Sequence, residues 1–128
     1  MSQKETRLTV SLVEQQLLEN YCKFYNIHGS NFSENGAPDI LACMDGAFVG
    51  IECKLSDTQP FINQLRQAIY IIRSGGRYIV AKEDFNFQLL KHSQIPAFYI
   101  ANEIGEGEFT EMNNAPKFTY EIKLENSN

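Results

Sequence analysis

Apolar and polar positions along the chain change period several times, and each change marks an element. Val13, Leu17, Tyr21 and Phe24 recur three and four residues apart, with Leu18 and Tyr25 beside them. This spacing predicts an amphipathic helix over about 12–25. Ser11 with Glu14 three positions on has the capping-box spacing, after a polar lead over 1–9. A Gly/Ser/Asn-rich loop is expected over 28–36. The period then shortens to two. A strand is predicted over 39–44, a turn at Asp45-Gly46 and a return strand over 47–55. A second helix is predicted over 60–74, with Phe61, Leu65, Ala68, Ile69 and Ile72 on its buried side and Gly75-Gly76 as its stop. The apolar run 77–81 reads as an interior strand, and 84–92 as a weaker helical piece. Pro96 opens a predicted strand over 97–101, followed by a loop over 102–116. An alternating edge strand over 118–124 and a frayed end complete the reading. The order α-β-β-α-β-(α)-β-(β) predicts one α/β domain over 1–128, a mixed sheet flanked by helices.

Within the return strand, Glu52 and Lys54 are two apart and share a face, whereas Ile51, Cys53 and Leu55 take the other. The second set is apolar and belongs in a core. The first set is charged and lies across the hairpin from the strand that Asp39 opens.

Composition supports one ordinary core. The chain has 128 residues, is 43% apolar and carries 9 Phe and 6 Tyr. No apolar run approaches ~18 residues, so no membrane span is expected, and residues 1–9 lack a signal-peptide apolar stretch. Cys22, Cys43 and Cys53 are odd in number and have no CxxC spacing, which argues against a disulfide framework or zinc site and fits a reducing cytoplasm. The net charge of −5 counts against tight non-specific DNA binding. Its distribution softens that argument, because residues 1–93 sum to −1 and residues 94–128 to −4. Local fields decide phosphate binding more than the total does.

Phosphodiester hydrolysis needs an activated water, a charge clamp on the phosphate and help for the leaving oxygen. Mg²⁺ or Mn²⁺ held by carboxylates supplies much of this. Asp39 and Glu52 are candidate metal ligands, with the backbone carbonyl of Cys53 as a further one. Lys54 is placed to orient the water or stabilise developing charge. Taken alone, an ExK pair is more often an exposed ion pair on an edge strand, and Pro38-Asp39 alone is an ordinary turn sequence.

The stretch from GAPDI through GIECKLS to QLRQAIYIIRSGG and RYIVAK resembles the PD-(D/E)xK nuclease superfamily, and within it the VRR-NUC family in its small stand-alone phage and bacterial form. The resemblance covers about 13–83. It implies a restriction-endonuclease-like core of αβββαβ type and a divalent-metal-dependent nuclease. Asp39 and Glu52 then become metal ligands, Lys54 the catalytic lysine, and a Glu of the first helix a further ligand. Glu14 is the match. At about 100° per residue it shares a face with Leu18 and Tyr21, taken as turned toward the sheet, while Glu19 is rotated away. The alternative for Glu14 is a capping carboxylate. The family's glutamine matches Gln64, with Gln59 and Gln67 as competitors and a solvated helix face as the alternative. Cys53 departs from the Val or Ile common at its position.

Lys82 and Arg66 are weaker candidates for DNA contact, and His28 and His92, with no partner at ligand spacing, are expected at the surface. The resemblance implies a homodimer cutting branched or structured DNA, as Holliday junction resolvases do, in the cytoplasm of a bacterial host cell. Phe98, Tyr99, Phe118 and Tyr120 are offered either to the dimer surface or to the core. The competing expectation is a non-cleaving DNA-binding or partner-inhibiting phage protein that retains the nuclease core.

Overall fold

The structure is a computed structural model that describes residues 3–28 and 35–113. Its elements are helix α1 (Gln3–Glu19), strands β1 (Phe24–Asn26), β2 (Ile40–Met44) and β3 (Ala47–Cys53), helix α2 (Ile62–Arg73), strand β4 (Arg77–Ala81), a 3₁₀ segment (Phe87–His92), and helices α3 (Ala97–Ile104) and α4 (Glu106–Asn113). The four strands form one mixed sheet in the order β1-β2-β3-β4. β1 and β3 each pair antiparallel with β2, and β3 pairs parallel with β4. The α/β expectation holds, and the first six elements run α-β-β-β-α-β.

Each element follows from local chemistry. The β2–β3 hairpin closes through Asp45 and Gly46, both at positive φ (52° and 78°), the two-residue turn that suits strand twist. A parallel β4 requires a crossover, and α2 provides it. Gly75, at φ 96°, ends α2 with Gly75 N–H donating to the Ile72 carbonyl and Gly76 N–H to that of Ile71.

Strand alternation divides the core into two. Ile40, Ala42, Met44, Val49, Ile51, Cys53, Ile79 and Ala81 face α1, where Val10, Val13 and Leu17 meet them. Tyr78 faces α2 and packs with Leu65, Ala68, Ile69, Ile100, Ala101 and Phe109. Residues 93–95 run along the free edge of β4, with Val80 N–H donating to the Ser93 carbonyl.

Several expectations are corrected. α1 begins at Gln3 rather than near residue 12, and Ser11 lies inside it instead of capping it. It ends at Glu19 because Tyr21 takes a left-handed conformation (φ 60°) and Cys22 N–H bonds back to the Leu17 carbonyl. Tyr21 is then 97% exposed instead of belonging to the apolar stripe. Phe24–Asn26, read as helix, is an edge strand too short to show a period. The predicted strand over 97–101 is α3, and the predicted loop over 102–116 contains α4. A short apolar run does not separate buried strand from buried helix. Here Ile100, Ala101 and Phe109 bury against α2. Tyr99 also packs into that cluster, so of the aromatics offered to a dimer face it serves the core. The predicted strand over 118–124, with Phe118 and Tyr120, lies outside the described residues.

Candidate active site

The site lies where the β2–β3 ladder stops. Ile40 is opposite Ile51, so the next step of the register sets Asp39 opposite Glu52. Both side chains fall on the α2 face, the face of Gly50 and Tyr78, because β3 alternates and Ile51 and Cys53 point to α1. The Cys53 N–H has no strand partner on that side, and it donates to Asp39 Oδ2 at 2.8 Å. The Asp39 side chain thus replaces the missing rung. N–H and C=O of one strand residue leave by the same edge, so the Cys53 carbonyl faces the Asp39 side.

Gly36 and Pro38 hold Asp39 there from the other direction. Gly36 has φ 85°, and a Cβ on it would sit 2.6 Å from the Asn63 carbonyl oxygen at the start of α2. Pro38 packs over Gly50, where a Cβ would meet its Cγ at 2.8 Å. The Gly-Ala-Pro-Asp run is therefore pressed between α2 and β3.

Glu52 is 3% exposed. Its Oε2 accepts from Gln64 Nε2 at 3.0 Å, and Gln64 Oε1 accepts the Phe61 N–H at 2.7 Å. Gln64 is thus both a cap for α2 and a clamp on Glu52. Glu52 Oε1 is buried and receives no hydrogen bond from an N–H or O–H of the described residues. Burial, first, and the adjacent Asp39 carboxyl, second, push the Glu52 carboxyl up to about 9, against the opposing pull of Lys54. The Asp39 carboxyl is close enough to share a proton with it. Burial likewise raises the Cys53 thiol, which belongs to the core.

Lys54 follows on β3, where its N–H donates to the Ala81 carbonyl. Its ammonium lies 4.3 Å from the centre of the Phe61 ring. Asp39, Glu52, Lys54 and Gln64 line one cleft of about 600 Å³, with His28 and Thr6 on its wall. Of the competing glutamines, Gln59 lines the cleft but Gln64 is the one bonded to Glu52.

His28 is the residue sequence reasoning missed. The sequence offers it no partner at ligand spacing and places it at the surface, yet its Nδ1 lies 2.6 Å from Asp39 Oδ1, with the side chain 27% exposed. The carboxylate accepts, so we place the proton on Nδ1. The signal is the β1–β2 register. Asn26 pairs with Ile40 and Ile27 N–H donates to the Asp39 carbonyl, which sets the next residue beside Asp39. It is visible only once Phe24–Asn26 is known to be a strand.

Glu14 does not join the cleft. Its Oε2 accepts from Asn26 Nδ2 at 2.9 Å. Leu18, whose face it shares, is 66% exposed, so that face is not the one turned to the sheet. The α1 residue on the cleft wall is Thr6, eight positions and about 12 Å along the axis from Glu14. Among the described residues no three His, Cys, Asp or Glu side chains form a metal-holding group. Arg66 is engaged by Glu108, with contacts of 2.5 and 3.1 Å, and so ties α4 to α2. Lys82 Nζ donates to the Ser56 carbonyl at 3.1 Å.

The donor set suits a hard cation. Mg²⁺ commonly takes one or two carboxylates and fills its remaining positions with water and phosphate oxygens. Two adjacent carboxylates, one with a buried oxygen lacking a donor, and a backbone carbonyl on the same edge match that habit. No family model matches the chain, and no curated protein or solved structure does.

Proposed function

We propose that the chain is a Mg²⁺- or Mn²⁺-dependent endonuclease that hydrolyses DNA phosphodiester bonds on a restriction-endonuclease-like core. The observation that carries this reading is the Asp39–Glu52 pair in one cleft with Lys54, where Glu52 Oε1 is buried without a donor. In the metal-free chain the proton shared with Asp39 offsets the burial of this carboxyl, and a divalent cation would take that proton's place.

Asp39, Glu52 and the Cys53 carbonyl would hold the cation. When bound, it would offset phosphate charge and make a water acidic enough to attack. The side chains divide the remaining work. Gln64 fixes the Glu52 carboxylate, and His28 and the Cys53 N–H fix that of Asp39. The Lys54 ammonium, held over Phe61, stabilises the charge that builds on the phosphate oxygens during attack. Phosphate charge also has to be met by a chain that carries net −5. That favours a substrate recognised by shape at a few phosphates. A two-fold homodimer would double the footprint and set two clefts against the two strands of a four-way junction.

No described helix is long and apolar enough to cross a membrane. The competing reading, a non-cleaving DNA-binding or partner-inhibiting protein, draws on the acidic charge and on the separation of Glu14 from the pair. A cleavage panel decides between them. Linear, flapped, splayed and four-way DNA are incubated with Mg²⁺ or Mn²⁺, with EDTA and with Glu52→Gln as controls. Metal-dependent cutting of the branched substrates that Glu52→Gln abolishes is the expected result. Cutting insensitive to EDTA, or retained by Glu52→Gln, overturns the proposal.

A further inference from the structure

A second open cavity of about 400 Å³ lies beside the cleft, and Gln59 lines both. Its volume is within the range of small-ligand pockets, about 300–1,000 Å³. The register explains why the two adjoin. Cys53 pairs with Ala81 across the parallel β3–β4 ladder, so Lys54 and Lys82 each stand one residue past paired positions. Neighbouring strands are ~4.8 Å apart, which brings the two lysines to adjacent places at the carboxyl ends of parallel strands. Lys82 lines the second cavity as Lys54 lines the first.

The lining of the second cavity differs from that of the cleft. Leu89, 52% exposed, and Tyr99 supply apolar surface, while Gln59, Gln94 and Asp84 carry hydrogen-bonding groups of both kinds. Lys82 uses one ammonium proton on the Ser56 carbonyl, and among the described residues its other two donors remain for a phosphate. A flat heteroaromatic with polar edges, joined to a phosphate, is the ligand whose chemistry matches.

We propose that this cavity is a nucleoside subsite. It takes the unstacked base of the nucleotide that adjoins the scissile phosphate, with Lys82 on the neighbouring phosphate. The assignment rests on the nuclease reading of the cleft and names its substrate class more closely. The enzyme acts where a nucleotide is already unpaired, as at a junction or flap, since extruding a paired base costs unstacking energy.

The test uses the isotope-labelled full chain in EDTA, titrated with dAMP and separately with deoxyribose 5-phosphate, and followed by amide NMR. The expected result is that dAMP shifts the Leu89, Gln94 and Tyr99 signals and binds at least tenfold tighter than the sugar phosphate. Leu89→Glu should lose at least tenfold in dAMP affinity with an unchanged melting temperature. Equal affinity for the two ligands, shifts confined to other regions, or full affinity in Leu89→Glu overturns the subsite. Cleavage is read separately. A protein that cuts DNA but does not bind dAMP here refutes the subsite and leaves the nuclease reading standing. One that binds dAMP here but cuts nothing with either metal refutes the nuclease reading and leaves a nucleotide site.

Discussion

Gln64 reaches from the first turn of α2 to Glu52, donating to its Oε2 at 3.0 Å while accepting the Phe61 N–H at 2.7 Å. One amide thereby links the start of the crossover helix to a carboxylate at the end of β3. The other Glu52 oxygen has no donor among the described residues. This asymmetry, one oxygen held and one left, is what a ligand-binding carboxylate needs.

Glu52 makes stability depend on pH. The unfolded chain loses this proton near the usual 4.5, and the folded chain keeps it to about 9, chiefly because the carboxyl is buried and secondarily because Asp39 is adjacent. Between those values the folded state binds the extra proton. Metal-free stability should therefore fall as pH rises through that window and level off above it, at no more than about 1.4 kcal/mol per pH unit. Thermal melts in EDTA from pH 5 to 8.5 check this, and Glu52→Gln should flatten the slope. Mg²⁺ or Mn²⁺ should raise the melting temperature more at pH 8 than at pH 6, because binding displaces the proton.

His28→Ala should cut metal-dependent cleavage about ten- to hundredfold, the usual loss when a group orienting a ligand is removed. Asp39 would keep the Cys53 N–H and its contact with the Glu52 carboxyl. The side chain is partly exposed, so the melting temperature should change little. Steady-state kinetics on the best substrate decide the point, and an unchanged kcat/KM would remove His28 from the site.

Gly36→Ala should destabilise the fold by about 1–3 kcal/mol, because a positive φ and a backbone collision coincide. Its Cβ would stand 2.6 Å from the Asn63 carbonyl oxygen. Gly46→Ala is the control. Gly46 also has positive φ (78°), but nothing lies within 4 Å of its Cβ, so its loss should be the smaller. Urea denaturation of the two variants compares them directly.

Phe61→Ala should lower cleavage only about two- to fivefold, the equivalent of an exposed cation–π contact of about 0.5–1 kcal/mol. Lys54→Ala should abolish cleavage altogether. Phe61 is 71% exposed, so its removal should leave the melting temperature unchanged. Paired rates for the two variants separate the ammonium's role from that of the ring that holds it.

Part of the candidate site is legible in the order of residues. Asp39, Glu52 and Lys54 follow from the hairpin register and Gln64 from the family resemblance, and all four line one cleft. Local rules suffice there, because a two-residue turn fixes which side chains oppose each other. His28 was not legible, since its place depends on β1, whose three residues carry no period. Glu14 was misplaced because the start of α1 set the turn that reaches the cleft, and that start is masked by a polar lead. α3 reads as a strand for a different reason, since a short apolar run fits either element.

Alternation, turns and caps are properties of neighbours in the chain, and for this protein they determined the hairpin, the crossover helix and the face shared by Glu52 and Lys54. Tertiary structure decided what those groups meet: which histidine holds Asp39, which helical turn faces the cleft, and that Arg66 is taken by Glu108. The reason is physical. Backbone pairing has a short range along the chain, whereas the burial that leaves Glu52 one oxygen without a donor depends on β2, β3 and α2 packing together at once.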